Sequence, residues 1–366
     1  MTNEPATHPA PHIPHTPDWL PLADRVIAGN ALTRDEALAV LRTQDAGVPE
    51  IVAAAHRVRR RYFGDTVKVN FLVNVKSGIC PEDCHYCSQS KLSKAPIDKY
   101  PLLSGGDILT AARRGHEFGA RRVCLVASGR GPSDADIAHI GAAVREVLGE
   151  LPDAEICACL GLLTPEQGRA LKDAGVFAYN HNLNTSENFY NEICETHTYD
   201  DRVRTVGVAK DAGLSPCCGA LFGMGETDED IVDVAFSLRA LGVDSLPVNF
   251  LIPIQGTPLA GRWELTPNRC LKILALMRLT NPQSELRIAG GREHHLKSLQ
   301  PMGLLIANSI FIGDYLTAKG QRPEDDLAMI RDLGFEILGA ADHRRVDDAP
   351  ATVALKSREE RLAPGA

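Results

Sequence analysis

The hydrophobic pattern between residues 67 and 313 alternates between short apolar runs and longer amphipathic stretches. The short runs are rich in β-branched and aromatic residues, as strands are. They lie at 67–75, 121–127, 154–161, 176–183, 214–223, 244–251, 286–291 and 308–313. The stretches between them carry apolar residues at helical spacing, for example GDILTAARRGHEFG at 106–119. The pattern therefore predicts eight strands that are joined through helices.

This order of strand, helix and strand predicts a fold of the α/β class. Strands joined by helices pair in parallel through right-handed crossovers, and eight such units in about 250 residues fit a (β/α)8 TIM-type barrel. A doubly wound open sheet is the alternative, but no G-x-G-x-x-G motif follows the first strand. We expect an N-terminal helical extension at 18–66 and the barrel at 67–339.

The two ends of the chain differ in composition from the rest. Residues 1–17 are rich in proline and histidine, and residues 340–366 are polar and also contain proline. Such segments are typical of disordered tails. His8, His12 and His15 fit a tail with scattered histidines better than a metal-binding tract.

Composition and charge exclude several classes of protein. Of the 366 residues, 44% are hydrophobic and 23% are charged, as in globular proteins. The net charge of −8 disfavours a nucleic-acid-binding protein, which usually carries a basic face. The apolar runs are too short to cross a membrane, and the N-terminus lacks the basic and apolar segments of a signal peptide. We therefore expect a cytoplasmic protein without a membrane span.

Cysteine is frequent for such a protein. The ten cysteines are Cys80, Cys84, Cys87, Cys124, Cys157, Cys159, Cys194, Cys217, Cys218 and Cys270. Disulfides are rare in a reducing compartment, so this number favours metal or redox chemistry for some of them. Others are expected to pack as small buried residues.

Three of these cysteines stand close together after the first predicted strand. Cys80, Cys84 and Cys87 form a C-x3-C-x2-C motif, and a loop at that place lies on the C-terminal face of a barrel, where active sites are built. A zinc site would need a fourth ligand, for which His85 is available. An iron–sulfur cluster fits three thiolates better, because they bind three irons of a cubane and leave the fourth iron open. An open iron can chelate a small ligand through an amine and a carboxylate.

The loop resembles the cluster motif of the radical S-adenosylmethionine superfamily, including an aromatic residue, Tyr86, before the last cysteine. The resemblance implies that the [4Fe–4S] cluster binds S-adenosylmethionine at its open iron. It also implies that an electron from the cluster cleaves this molecule to methionine and a 5′-deoxyadenosyl radical. This motif alone names no substrate.

A second group of candidates lies inside the predicted strands. Cys124, Cys157 and Cys217 fall in the second, third and fifth strands, and Arg287 falls in the seventh. Alternation along a strand lets all four side chains point into the barrel. Ordinary buried cysteines are the alternative, and so is an Arg287 that is ion-paired, for example with Glu293. Periodicity cannot decide between these cysteines and their neighbours: Cys159 shares a face with Cys157, and Cys218 points away from Cys217.

From about residue 60 to 335 the sequence resembles the biotin synthases. The blocks GICPEDCHYCSQS, YNHNLNTSENFY, GMGETDED, PVNFLIPIQGTPLA and RIAGGRE are similar to that family's blocks and follow in its order. The resemblance implies a [2Fe–2S] cluster inside the barrel. Its ligands would be Cys124, Cys157, Cys217 and Arg287. The remaining cysteines, Cys159, Cys194, Cys218 and Cys270, would then be structural.

Amide side chains end the fourth predicted strand. Asn180, Asn182 and Asn184 share one face by period two, with Tyr179 and His181 opposite. Turn-forming asparagines are the alternative. The resemblance implies that Asn180 and Asn182 face dethiobiotin and that Asn182 also borders the adenosyl group. Asn184 stands where the family has an aspartate on the ribose.

Other positions enter only through the resemblance. Tyr86 and Arg202 would contact S-adenosylmethionine, with Arg202 at its carboxylate. Asn249 would contact the ureido group of dethiobiotin, and Thr317 its carboxylate. Ala318 stands where some relatives have a second threonine, which weakens the carboxylate site.

The function that the resemblance implies is insertion of sulfur between C6 and C9 of dethiobiotin. The cofactors would be S-adenosylmethionine, a [4Fe–4S] cluster and a [2Fe–2S] cluster that gives up sulfur, with no acid–base catalytic residue. The implied partners are a flavodoxin or ferredoxin, cluster-assembly proteins and a second copy in a homodimer. A lipoyl-synthase-like sulfur inserter is one alternative, although residues 1–79 contain no cysteine for its second cluster. A zinc-stabilised ligand-binding barrel is the other.

Overall fold

A computed structural model of the chain describes residues 18–339. The predicted tails at 1–17 and 340–366, with His8, His12 and His15, lie outside the described residues. Ten strands lie within the described range. They are β1 (Thr66–Lys76), β2 (Arg122–Ala127), β3 (Glu155–Cys159), β4 (Ala178–Asn180), β5 (Ser215–Cys217), β6 (Ala220–Phe222), β7 (Ser245–Phe250), β8 (Glu285–Ile288), β9 (Ser309–Ile312) and β10 (Glu336–Ile337).

Twelve α-helices lie between residues 18 and 339. They are α1 (Leu20–Ile27), α2 (Arg34–Arg42), α3 (Val48–Phe63), α4 (Gly105–Glu117), α5 (Asp134–Glu150), α6 (Pro165–Asp173), α7 (Tyr199–Asp211), α8 (Asp228–Leu241), α9 (Pro267–Thr280), α10 (Arg292–Leu296), α11 (Gln300–Ile306) and α12 (Pro323–Asp332). Most begin at a Ser or Thr that accepts a backbone N–H of the first turn, as Thr33, Ser133 and Thr198 do. This capping explains why the helices start where they do.

The strands close into a parallel barrel. The order β1-β2-β3-β4-β5-β7-β8-β9 runs in parallel pairs, and β9 pairs back to β1, with Val69 opposite Ile310. The short β10 pairs with the start of β1. Closure of the ring confirms the predicted (β/α)8 barrel, and the open doubly wound sheet is wrong. Before the barrel, α3 packs against α1, α9 and α11, and α2 packs against α9 and α8.

The predicted fifth strand at 214–223 is two short strands in the structure. Gly219 lies between β5 and β6, and a Cβ atom built there would stand 1.8 Å from the carbonyl oxygen of Pro247. Only glycine fits at such a close approach of two backbones. Because of the interruption, β5 pairs with β4, whereas β6 pairs with the C-terminal half of β7.

Strand periodicity separates the two faces of the barrel wall. In β1, Val67 and Val69 are fully buried among the surrounding helices, while Lys68 and Leu72 point inward. The same alternation in the other strands stacks the interior into layers, as in barrels of this class. Charged groups form the lowest layer and thiols the next. Among the described residues, no helix combines the length and apolar character that crossing a membrane requires.

Candidate active site

The loop that carries the three-cysteine motif follows β1 at the C-terminal end of the barrel. Backbone hydrogen bonds in both directions between Ser77 and Tyr100 close its base at 3.1 Å. Its tip is held from across the barrel, because His85 N donates to the carbonyl oxygen of Ile193 at 2.9 Å. The first strand therefore places the loop at the mouth of the barrel, and these hydrogen bonds hold it there.

Cys80, Cys84 and Cys87 face inward at this mouth. Cys80 and Cys87 line a cavity of about 290 Å³, and Cys84 is buried beside it. Burial raises the pKa of Cys87 to about 11, and the nearby charge of Cys80 adds to the effect. Burial also raises the pKa of Cys80, whereas a hydrogen bond with Cys194 lowers the pKa of Cys84. Thiolates in a buried place need a cation to offset their charge.

The spacing of the three sulfurs fits a cluster better than a single ion. Within residues 18–339, the group of donors whose atoms all lie within 4.8 Å of one another is Cys84, Cys194 and His197, not the three motif cysteines. Ligands of one zinc ion must meet at that range, whereas cluster ligands bind different irons. The arrangement of the motif cysteines therefore fits a [4Fe–4S] cluster. His85, the other candidate zinc ligand, is not in the group.

Arg202 lies on α7 and reaches into the same cavity. Its Nη1 donates to the carbonyl oxygen of Asn182 at 2.8 Å, its Nη2 donates to His197 Nε2 at 2.7 Å, and its Nε donates to the hydroxyl of Tyr190. His197 Nδ1 lies 2.5 Å from Glu82 Oε2. Since a guanidinium only donates, His197 Nε2 carries no hydrogen and Nδ1 carries the one that Glu82 accepts. A chain of carboxylate, imidazole and guanidinium thus fixes a buried cation at the cavity wall.

Deeper in the barrel, a second set of thiols meets. Cys124 and Cys157 stand opposite each other in the register of β2 and β3, and Cys217 ends β5. All three are at most 4% exposed. A hydrogen bond from Cys157 and the charges of Arg287 and Arg122 lower the pKa of Cys217 to about 5, although burial opposes this. The pKa of Cys157 is raised well above its usual range, because its proton is shared with both neighbours.

Arg287 joins these thiols from β8. Its Nη1 is 3.8 Å from Cys217 Sγ, and its Nη2 donates to Glu285 Oε1 at 2.5 Å and to Ser245 Oγ at 2.8 Å. Its ion partner is therefore Glu285, not Glu293. Glu293 lies elsewhere, with its carboxylate 2.9 Å from the hydroxyl of Tyr315.

A charged layer lies directly beneath the inner thiols. Lys68 Nζ bonds Glu155 at 2.7 Å, and Arg122 Nη2 bonds Glu155 at 2.7 Å and Glu285 at 3.2 Å. With Arg287, three cations face two carboxylates. One positive charge is left in excess, and this lowers the cost of holding thiolates in a medium of low dielectric.

The cysteines that were not assigned to either set of thiols lie in different parts of the fold. Cys159 follows Cys157 on the inward face of β3 and lines the cavity one layer higher, where burial raises its pKa to about 12. Cys218 turns outward and is fully buried in the core between barrel and helices. Cys270 is fully buried on α9. Cys159 is therefore the only one of these three that borders the cavity, within the described residues.

The predicted amides lie between the two sets of thiols. Gly219 N and Asn180 Nδ2 both donate to Asn182 Oδ1, each at 3.0 Å. Among the described residues, Asn180 Oδ1 and Asn182 Nδ2 have no protein partner, so one acceptor and one donor remain for a ligand. Asn249 is fixed as well: Gly290 N donates to its Oδ1 at 3.0 Å, and its Nδ2 donates to Ala220 O at 3.2 Å.

Asn184 faces the cavity in an unusual backbone conformation. Its φ is +70°, a left-handed value that asparagine tolerates better than most residues. Its Nδ2 donates to the hydroxyl of Tyr86 at 2.5 Å. Tyr86 and Asn184 therefore form one polar contact beside the motif cysteines.

A second cavity of about 260 Å³ continues outward from the first and shares Leu72, Tyr86 and Asn182 with it. Thr317 and Ala318 line this outer cavity. The hydroxyl of Thr317 is 2.6 Å from that of Ser88. The two cavities together form one elongated space from the charged layer to the surface.

Several residues of the site were missed by sequence reasoning. His181 lines the inner cavity although alternation placed it opposite the asparagines, because β4 ends at Asn180 and the alternation ends with it. Its Nε2 is buried without a partner among residues 18–339. Tyr179 does point away, as predicted, and bonds Gly161 O at 2.6 Å. Ser88 and Glu82 lie within two residues of a motif cysteine, and this proximity in sequence was the signal that could have identified them.

Two family models match the chain. The radical SAM superfamily model matches residues 74–238, and the model of the Biotin and Thiamin Synthesis associated domain matches residues 247–336. The first range holds both sets of cysteines, and the second holds Asn249, Arg287 and Thr317. The two models thus divide the barrel but meet in one site.

Among curated proteins, the chain is similar to several biotin synthases. It is 58% identical to the one from Kocuria rhizophila over 319 residues, which is 87% of this chain and 68% of the relative. It is 54% identical to biotin synthase 2 of Frankia casuarinae, over 93% of this chain and 94% of the relative. It is also 54% identical to the biotin synthase of Bacillus cytotoxicus, over 87% and 96%.

Solved structures with low identity support the fold alone. Methylornithine synthase (PylB) superposes with a TM-score of 0.75 at 22% identity, over 86% of this chain and 97% of that one. The hydrogenase maturase HydG from Carboxydothermus hydrogenoformans superposes with a TM-score of 0.74 at 18% identity, over 87% of this chain and 79% of that one.

Membership of the radical SAM superfamily brings S-adenosylmethionine and a [4Fe–4S] cluster as cofactors. The identity to the curated relatives over most of their length shows that this chain is an enzyme and belongs to the biotin synthase family.

Proposed function

We propose that this enzyme inserts sulfur between C6 and C9 of dethiobiotin and so closes the thiophane ring of biotin. One carbon is a methylene and the other a methyl group, and neither is acidic. A general base cannot activate such carbons at neutral pH. A radical that abstracts hydrogen can, which is the chemistry that a cofactor supplies.

The observation that carries this proposal is the presence of two separate sets of three thiols that both border one cavity, which is lined by Cys80 and Cys87 of one set and by Cys124 of the other. One set stands at the mouth of the barrel. The other, 37 to 137 positions later in the sequence, is buried deeper in the barrel. Uncharged amides line the space between them. A substrate bound there would lie between a radical source and a sulfur source.

The residues at the mouth would hold the radical source. Cys80, Cys84 and Cys87 would bind three irons of the [4Fe–4S] cluster, and Arg202 would pair with the carboxylate of S-adenosylmethionine. When bound, this cluster supplies the electron that cleaves S-adenosylmethionine to a 5′-deoxyadenosyl radical. Arg202 suits its role because its fixed fork of donors binds a carboxylate in one orientation.

Tyr86, Asn182 and Asn184 would hold the adenosyl part. Asn184 reaches Tyr86 at 2.5 Å, and an amide can bond a ribose hydroxyl through its remaining atoms. The amide carries no charge, so the binding that a carboxylate would add at this position is absent.

The residues deeper in the barrel would hold the sulfur source. Cys124, Cys157, Cys217 and Arg287 would bind the [2Fe–2S] cluster, which supplies the sulfur atom when it is bound. The excess positive charge beneath the thiols supports this assignment, because it offsets the charge of thiolates and sulfides that water cannot reach.

The substrate would be held by neutral groups. A ureido group has two N–H donors and one carbonyl acceptor, and the free acceptor of Asn180 and the free donor of Asn182 match two of them. Asn249 would contribute from β7. Thr317 would meet the carboxylate in the outer cavity, where Ser88 stands at 2.6 Å from it. Orientation of the two carbons is then the main contribution of the chain to the reaction.

The remaining partners rest on the family alone. We propose a flavodoxin or ferredoxin as electron donor, cluster-assembly proteins, a homodimer and a cytoplasmic location. We also propose the segments at 18–66 and 67–339 as extension and barrel.

Anaerobic turnover tests the proposal directly. The purified, reconstituted enzyme is incubated with dethiobiotin, S-adenosylmethionine and a low-potential reductant, and biotin and 5′-deoxyadenosine are quantified. We expect both products, with iron and sulfide but little zinc in the protein. Octanoyl substrates that yield a lipoyl product, or a zinc-loaded protein without turnover, would contradict the proposal.

Variants of the motif cysteines test which residues hold the cluster, and Cys270→Ala is their matched control. Cys80→Ala, Cys84→Ala and Cys87→Ala should each abolish 5′-deoxyadenosine formation, since three thiolates are the minimum that leaves one iron open. Cys270→Ala removes a buried cysteine far from both sets of thiols and should keep turnover. A motif variant that still makes 5′-deoxyadenosine at the parent rate would overturn the assignment.

A further inference from the structure

Cys194 lies beside one of the motif cysteines although it is 110 residues away in sequence. Its Sγ is 3.8 Å from Cys84 Sγ, and the two residues are 1% and 8% exposed. Cys194 follows a short 3-10 helix, Tyr190–Glu192, whose neighbour Ile193 accepts the backbone N–H of His85. The segment 190–194 therefore holds the tip of the loop that carries the three-cysteine motif and also places the Cys194 thiol beside that loop.

We propose that Cys194 donates an S–H hydrogen bond to the sulfur of Cys84 when Cys84 binds the cluster, and that this bond makes the cluster easier to reduce. The inference rests on the proposed function, because it needs Cys84 as a cluster ligand. A cysteine bound to iron has lost its proton and can only accept. The direction of the bond is therefore fixed from Cys194 to Cys84.

Asp83 is the competing acceptor for this proton. Its Oδ1 is 3.2 Å from Cys194 Sγ. The same oxygen already accepts the backbone N–H groups of Glu195 at 3.0 Å and Thr196 at 3.2 Å, and it lies 2.9 Å from the Thr196 hydroxyl. These donors fill the lone pairs of that oxygen. The acceptors left for Cys194 are the Cys84 sulfur at 3.8 Å and the Thr196 hydroxyl at 3.7 Å. Of these two, the Cys84 sulfur is the one that carries negative charge once it binds iron, so it is the stronger acceptor.

Direct metal binding by Cys194 is the other role that its position suggests, since Cys84, Cys194 and His197 lie within 4.8 Å of one another. His197 argues against it. Its Nδ1 hydrogen is taken by Glu82 at 2.5 Å, and its Nε2 accepts from Arg202 at 2.7 Å. Neither nitrogen has a lone pair free for a metal ion unless Arg202 loses its acceptor.

The consequence for the cluster follows from charge. Reduction adds negative charge to the cluster and its thiolates, and the positive end of an S–H dipole stabilises that charge. Hydrogen bonds to the sulfurs are among the factors that set the potential of an iron–sulfur cluster. Both sulfurs are buried, so solvent screens the effect little. Removal of the donor should make the cluster harder to reduce.

A redox titration of the reconstituted enzyme tests this inference. Under anaerobic conditions, the reduced [4Fe–4S] signal is followed by electron paramagnetic resonance in the parent, Cys194→Ala and Cys270→Ala. We expect the ratio of reduced to oxidised cluster at a fixed potential to fall about threefold in Cys194→Ala, which is about 28 mV at about 59 mV per tenfold. Cys270→Ala, which loses an equally buried thiol, should match the parent.

Two further measurements complete the test. Where alanine leaves too little bulk to retain the cluster, Cys194→Val fills the space without a donor and should show the same shift. In the parent, iron–thiolate stretching bands in the resonance Raman spectrum should move on exchange into D2O, and the variant without the donor should lose part of that shift. A parent-like potential and isotope shift in the variants would overturn the inference. A parent protein that assembles no [4Fe–4S] cluster would instead overturn the proposed function.

Discussion

Arg287 Nη1 lies 3.8 Å from the sulfur of Cys217, so a buried guanidinium and a buried thiol meet inside the barrel. Arg287 is 1% exposed and is held on its other side by Glu285 at 2.5 Å. Burial alone would lower the pKa of Arg287, but Glu285, Cys217 and Cys124 raise it above its usual value. The guanidinium is thus a permanent positive charge beside the inner thiols.

Replacement of Arg287 separates its charge from its shape. Arg287→Lys keeps a positive charge but loses the planar fork, and Arg287→Met removes the charge at similar length. If the charge is what the cluster needs, the lysine variant should assemble the [2Fe–2S] cluster and retain some turnover, and the methionine variant should hold it poorly. Iron, sulfide and the visible spectrum are measured anaerobically in both. Parent-like spectra and turnover in the methionine variant would show that Arg287 is outside the site.

Glu285 should be essential for the stability of the barrel interior. Its carboxylate faces Arg287, Arg122 and Lys68, and Glu285→Gln would leave these cations with Glu155 alone. Removal of one partner from a buried ion pair leaves an uncompensated charge, so we expect a loss of about 3 kcal/mol in the free energy of unfolding. Urea unfolding followed by circular dichroism measures it. Glu166→Gln, at an exposed glutamate, should leave the midpoint unchanged.

The same variant makes a prediction about pH. Burial raises the pKa of Glu285, but the charges of Arg287, Arg122 and Lys68 outweigh burial and hold it well below its usual range. A lowered pKa stabilises the folded state fully above the unfolded value of about 4.3, and the gain is lost as pH falls below that value. The difference in unfolding midpoint between parent and Glu285→Gln should therefore be constant from pH 7 to 5 and shrink below pH about 4. A difference that grows on acidification would contradict this.

Neighbouring cysteines in the barrel wall should differ in their effect on the inner cluster. Cys157→Ala and Cys217→Ala should lose the [2Fe–2S] cluster. Cys159→Ala and Cys218→Ala should keep it, because Cys159 lies one layer higher and Cys218 faces the outer core. Mössbauer spectra of protein reconstituted with labelled iron measure the occupancy. The reverse pattern would mean that the ligands are displaced by one or two residues.

Asn184 should affect the affinity for S-adenosylmethionine through its side chain. Asn184→Asp replaces the amide donor to the Tyr86 hydroxyl by an acceptor, to which that hydroxyl can donate instead. It also offers a carboxylate to a ribose hydroxyl, so this variant should bind at least as tightly as the parent. Asn184→Gly tolerates the φ of +70° but has no side chain, so we expect about tenfold weaker binding, equivalent to about 1.4 kcal/mol. Anaerobic equilibrium dialysis gives the dissociation constants. Equal affinity of the glycine variant and the parent would show that this side chain makes no contact with the cofactor.

The sequence was sufficient for the fold because the signals of strands and helices are local. Eight apolar runs with helices between them predicted the barrel, and alternation predicted which side chains of a strand share a face. The interruption at Gly219 was not predicted, because it depends on the approach of Pro247 from another strand. The end of β4 at Asn180 was missed for the same reason, and with it the inward position of His181.

The candidate site was predictable where its residues are close in sequence or on one strand. Cys80, Cys84 and Cys87 share a loop of eight residues, and their spacing alone indicated an iron–sulfur cluster. The two-residue period of a strand showed which neighbouring cysteines share a face. It could not decide which of them faces the inner cavity. Register across strands decided it, since Cys124 and Cys157 stand opposite each other in the sheet.

Contacts between distant segments were decided by the tertiary structure alone. The partner of Arg287 is an exception that strand periodicity could have predicted. It is Glu285 because two residues along a strand return a side chain to the same face, whereas Glu293 lies beyond the strand's end on α10. Cys194 meets Cys84 across 110 residues, and no periodicity links them. The sequence determined which chemistry the chain carries and on which face of each strand, because those follow from local backbone geometry. The folded barrel decided which groups come within bonding distance, because closure of the ring brings strands together that the chain order keeps apart.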